Sequence, residues 1–182
     1  MSTPALKEWS AAVHALLDGR QTVLLRKGGI GEKRFRLDAE RFLLFPTVAH
    51  SHAERVRPEH RDLLGPAAAD STEEALTLRA GAKVVAAVEV NREEAVVDLE
   101  PLHIWTGESV RADRLDFRPK HRLTVLVVQV SPLAEPVPVE RTAQYGGCTS
   151  WVELPVNPVW GAPVHDDAAL AAIAESVRRS VG

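Results

Sequence analysis

The run Leu123-Thr-Val-Leu-Val-Val-Gln-Val130 constrains this chain more than any other segment. Successive side chains on a strand point to opposite faces, so a strand that is apolar at nearly every position must be covered on both sides. The run therefore predicts a central strand, and the chain has to supply cover as well as neighbours. Cover at one end is predicted from Thr3 as cap, Pro4 at the first helical position and Leu6, Trp9, Val13 and Leu16 at helical spacing, with Gly19 as a left-handed stop. At the other end Asp166 caps a helix carrying Leu170, Ile173 and Val177 on one face and Arg178 and Arg179 in its last turn.

Strand neighbours are predicted at Gln21–Arg26, at the alternating Arg34–Leu37, and at the short apolar run Phe42–Phe45, which Pro46 is expected to end. Two more, Lys83–Val90 and Ala95–Leu99, flank the turn-like Asn91-Arg-Glu-Glu94. A helix is expected around Pro58–Leu64, and Lys27-Gly-Gly-Ile-Gly-Glu-Lys33 reads as a glycine-rich loop. Pro132, Pro136 and Pro138 predict an extended connection after the central strand. The expected architecture is α+β: a small curved mixed sheet or barrel with an N-terminal and a C-terminal helix. Residues 1–154 form a single domain in this reading, 155–165 a proline-rich linker and 166–182 the last helix.

With 22 Lys+Arg against 25 Asp+Glu, the net charge of −3 exerts no global pull toward nucleic acid or membrane. The distribution is uneven, however. Residues 20–41 hold Arg20, Arg26, Lys27, Lys33, Arg34, Arg36 and Arg41 against Glu32, Asp38 and Glu40. Residues 111–122 hold Arg111, Arg114, Arg118, Lys120 and Arg122 against Asp113 and Asp116. Convergence of the two segments would make a patch able to neutralise phosphates, with Gly28, Gly29 and Gly31 admitting backbone amides and Trp105 stacking on a base. A single cysteine, Cys148, excludes an internal disulfide framework. No apolar run approaches membrane-spanning length and the first residues lack a signal-peptide profile, so a cytoplasmic protein with no membrane partner is expected.

Four segments, Ala5-Leu-Lys-Glu-Trp9, Arg26-Lys-Gly-Gly-Ile30, Phe42-Leu-Leu-Phe-Pro-Thr47 with His50, and Tyr145-Gly-Gly-Cys-Thr-Ser-Trp-Val152, resemble an uncharacterised prokaryotic family of domains of unknown function. That resemblance spans roughly residues 5–154 and brings no activity. More distantly, Gly19-Arg-Gln-Thr-Val-Leu-Leu-Arg26 is similar to the Gly-x-Lys-Thr-x-Glu-x-Arg signature of ASCH domains, and Lys83–Val90 resembles one of their barrel strands. The resemblance implies a PUA-like β-barrel and RNA binding, with Arg26 at the signature arginine. The signature lysine, which the ASCH amidohydrolases use chemically, is Gln21 here and the signature glutamate is Leu24.

The leading expectation is a domain that binds RNA or single-stranded nucleic acid through Arg26, Lys27, Lys33, Arg34, Trp105, Arg114, Arg118 and Lys120. Arg26 heads the set because a guanidinium beside a glycine loop can fork onto an anion, unless a buried ion pair holds it as scaffold. The alternative is a small hydrolase or nucleotide-processing enzyme whose pocket combines Arg26 with catalytic Lys27, Thr47 and His50. A metal-dependent nuclease would use Glu89, Asp98 and Glu100 on or beside consecutive strands, and an interaction module, such as a homodimer, would dock through Trp160 and the last helix. Alternate positions of an extended segment put His50 and His52 on one side, with His60 following, yet no ligand partner stands at metal spacing. Cys148 reads as a small residue packed beside Trp151, and Lys27-Gly-Gly-Ile-Gly lacks the Gly-Lys-Ser/Thr of a P-loop. No cofactor is implied.

Overall fold

The structure is a computed structural model that describes residues 1–28 and 32–182. It is α+β, built on one open, mixed six-stranded sheet. The strands are β1 (Thr3–Trp9), β2 (Val23–Lys27), β3 (Arg41–Thr47), β4 (Ala75–Glu89), β5 (Leu123–Glu140) and β6 (Trp151–Leu154). Their order is β2-β5-β4-β3-β1-β6, so β2 and β6 are the edges. Only β1 and β3 run parallel; the other neighbours are antiparallel.

The prediction for β5 rests on its two-sided apolarity, and the structure supplies the cover. Leu123, Val125 and Val127 face one core with Val23 and Leu25 of β2, Ala86 and Val88 of β4, and Leu170, Ala174, Val177 and Val181 of the last helix, α5 (Asp167–Val181). Leu126, Val128 and Val130 face a second core with Leu24, Phe42, Leu44, Ala80 and Ala82. The first helix, α1 (Ser10–Leu17), straddles both: Ala11, Ala12 and Ala15 meet the first core, Val13 and Leu16 the second. Gly19 ends α1 as expected, at φ +82°, with the Arg20 amide donating to Ala15 O and the Gly19 amide to Leu16 O. Asp166 caps α5 through Ala169 N at 2.7 Å.

Several elements differ from expectation. The helix predicted from Thr3 begins only at Ser10, because residues 3–9 are spent as β1 between β3 and β6. Ala5 and Leu6 are both fully buried, one on each face of the sheet, which a one-sided helix would not achieve. Pro46 does not end β3, which runs to Thr47 against β1. Residues 95–99 are not a strand but part of a 3₁₀ helix, Glu93–Leu102, that buries Val96 and Leu99. Arg34–Leu37 forms no strand either. The prolines after Val130 do not leave the sheet: β5 continues to Glu140, with Val137, Pro138 and Val139 opposite Leu78, Thr77 and Leu76.

Residues 155–165 lie along β5. Ala134 N donates to Val159 O, Gly161 N to Pro132 O and Val164 N to Val130 O. Trp160 sits on Gly81 of β4, where a Cβ would stand 2.2 Å from its ring, and the Arg41 guanidinium covers that ring at 3.6 Å. Only glycine allows this approach. No helix among the described residues is long and apolar enough to cross a membrane.

Candidate functional site

The two basic segments converge. The end of β2 and the segment after α4 (Gly107–Val110) line one cleft of about 670 Å³ with Arg26, Lys27, Arg114 and Arg118. Between α4 and Arg118 the backbone forms one turn of π-helix, Arg111–Asp116, the wider winding that often marks functional segments. It is docked onto β2 from both sides: Arg114 Nε donates to Leu25 O at 3.0 Å, and Lys27 Nζ donates to Phe117 O at 2.5 Å and Leu115 O at 3.3 Å. Burial pushes both Lys27 and Arg114 below their ordinary pKa values.

Arg26 is held from below. Its Nη1 donates to Lys7 O at 2.9 Å and to Glu8 Oε2 at 3.3 Å, and its guanidinium lies 5.2 Å from the centre of the Phe35 ring. Glu8 is only 3% exposed, so this is a buried ion pair, and Arg26 is scaffold as well as cleft wall. No described residue accepts from its Nη2 or Nε, which leaves one side of the fork toward the cleft. Arg118 is the one described non-glycine residue at positive φ, +50°, and it makes no ion pair with a described residue. Its guanidinium lies 4.8 Å from the Phe117 ring, itself 54% exposed. Trp151 adds a second aromatic wall, stacked on Phe35 and fixed by Nε1 donating to Arg36 O at 2.9 Å.

The remaining predicted residues are placed elsewhere. Trp105 is 6% exposed and packs in the core against Trp9, ring centres 5.9 Å apart; it offers no face to a base. Lys33, Arg34 and Lys120 are exposed and lie outside the cleft lining. Gly28 is buried at the cleft, whereas Gly29 and Gly31 lie outside the described residues. Cys148 is exposed and lines the cleft instead of packing in the interior. Phe117 and Trp151 were not among the predicted ligand contacts; the aromatic next to Arg118 within a basic segment was the available signal for the first.

Thr47 and His50 line a second, more open cleft of about 960 Å³ with Lys7, Ser71, Thr72, Arg141 and Tyr145. Arg26, Lys27, Thr47 and His50 thus do not share the one pocket that the hydrolase reading required, and the Thr47 hydroxyl donates to Glu8 O at 3.2 Å. His50 and His52 do not face one side: His50 is exposed, while a helical turn, α2 (His52–Arg55), buries His52 against Trp9 at 4.8 Å. Burial and the Arg55 charge lower the His52 pKa to about 4, so it is neutral. Among the described residues, no three His, Cys, Asp or Glu side chains cluster as metal ligands would. Asp98 and Glu100 sit on the 3₁₀ helix, not on a strand beside Glu89, which removes the nuclease arrangement. The apolar faces of Trp160 and α5 are consumed within the fold.

The family model for a domain of unknown function (DUF1802) matches residues 5–176. No curated protein matches the chain. Among solved structures, the crystal structure of ASCH from Zymomonas mobilis is similar at 16% identity, covering 83% of this chain and 86% of that one with a TM-score of 0.49. A mutant of the same ASCH protein is similar at 15% identity over 74% and 72% of the two chains, with a TM-score of 0.47.

Proposed function

The chain belongs to the DUF1802 family, and for this member we propose that the first cleft binds RNA or another single-stranded nucleic acid. What supports the reading is the meeting of Arg26, Lys27, Arg114 and Arg118 with the exposed ring of Phe117 in one cleft. Cations answer phosphates, and an aromatic face accepts any base, so the combination suits a strand whose bases are unpaired. Division of labour follows from the hydrogen bonds. Arg114 and Lys27 spend their donors on backbone carbonyls and shape the cleft, whereas Arg118 and the outer side of Arg26 have donors to give.

Binding of mixed-sequence RNA and DNA oligonucleotides, measured at about 50 and 200 mM salt, tests the proposal. Affinity is expected to fall steeply between the two, and Arg118→Ala and Phe117→Ala are each expected to lower it with the fold intact. Absent or salt-insensitive binding overturns the reading.

A further inference from the structure

The second cleft contains an electrostatic arrangement that the first does not. The Lys7 ammonium and the Arg141 guanidinium each lie 5.8 Å from the centre of the same Phe45 ring. Neither makes an ion pair with a carboxylate of a described residue; Glu73, on the lining, is exposed and pairs with neither. Instead each cation is held by neutral groups. Arg141 donates to Thr72 O at 2.8 Å and to Ser71 Oγ at 2.7 Å, and Lys7 Nζ to Gly147 O at 3.3 Å. Both cations line the one cleft, and burial, then the Arg141 charge, pushes Lys7 below its ordinary pKa.

Two like charges fixed beside one ring repel unless an anion comes between them. Neutral acceptors orient them without cancelling them, as groups in an anion site are oriented. We propose that this cleft is a binding site for a phosphoryl-type oxyanion, held between Lys7 and Arg141. His50 stands at its rim, which gives that residue a place in recognition separate from catalysis. The proposal stands on this cleft alone and does not depend on the reading of the first.

Titration of the whole chain with inorganic phosphate at constant ionic strength, followed by amide NMR, is the test. Saturable shifts of the Gly146, Gly147 and Thr72 amides are expected below about 20 mM phosphate, a range that reaches weak single-anion sites. Lys7→Met and Arg141→Gln should each weaken binding at least about fivefold, as loss of one charged hydrogen-bonding partner does, while Arg118→Ala in the first cleft leaves it unchanged. Thermal melts show that each variant is folded; should one not fold, the other carries the same readout. Lack of saturation, or equal binding by parent and a folded variant, overturns the proposal. A short single-stranded oligonucleotide that displaces phosphate from these amides identifies the oxyanion as part of a strand, and failure to displace it identifies a free phosphoryl ligand.

Discussion

The two clefts, one lined by Trp9 of β1 and the other by Lys7, both carry lysine and arginine, yet their cations are in opposite conditions. In the first, Arg26 is tied to a buried carboxylate and Lys27 and Arg114 to backbone carbonyls, so three of its cations support the walls. In the second, Lys7 and Arg141 lie by the same Phe45 ring and neither pairs with a carboxylate of a described residue. A basic residue in a cleft is therefore not yet a ligand contact. What it is already bound to decides whether removing it breaks the fold or empties a site.

The sharpest way to break this contrast is Arg26→Met. It leaves Glu8 charged and buried without its partner, a change expected to cost about 3–5 kcal/mol and to lower the melting temperature by about 10 °C. Lys7→Met, with no carboxylate to abandon, should stay within about 0.5 kcal/mol of the parent. Comparable melting losses in the two variants would erase the distinction.

Acid tests the buried imidazoles next. His52, beneath the first, and His103, 3% exposed and accepting from Trp105 N, both have pKa values lowered by burial to about 4. The unfolded chain takes up these protons below about pH 6.5 and the folded chain only near pH 4. Stability should accordingly fall as pH drops through that window, by up to about 3 kcal/mol per group. His52→Phe and His103→Phe should each remove that residue's share of the loss. Denaturant titrations at a series of pH values read both.

Arg118 carries a smaller but opposite signature. Its φ of +50° is costly for any side chain, so Arg118→Gly should raise stability by up to about 1 kcal/mol while weakening oligonucleotide binding. A melt and a binding titration of the one variant check the pair of signs. The smallest effect is expected at Lys120: Lys120→Ala should leave stability within about 0.5 kcal/mol and oligonucleotide affinity nearly unchanged.

What was legible in the sequence followed the range of the interactions that fix it. The strand from Leu123 announces its two covered faces by composition, and Gly19 and Asp166 set helix ends through bonds only a few residues away. Thr3–Trp9 has helical spacing, but its state is decided by β3 and by Trp151–Leu154, which no local pattern reveals. Val96 and Leu99 fit a strand or a 3₁₀ face equally well until their partners are known. The convergence of residues 26–27 with 111–118 was conditional in the sequence, because charge counts do not say which segments meet. Trp105 was misplaced because an indole suits a core as well as a base, and only its contacts with Trp9 and His52 separate the two.

The strand order has a consequence for how the chain is made. β1 is made well before residues 151–154, which pair with its outer edge, and the face of β5 beneath α5 waits for residues 170–181 for part of its cover. An unpaired strand edge and an uncovered apolar face are the two surfaces on which growing chains stick to one another. Both stay open in the nascent chain until residues 151–181 have been made, so β6 and α5 are what close an otherwise aggregation-prone sheet.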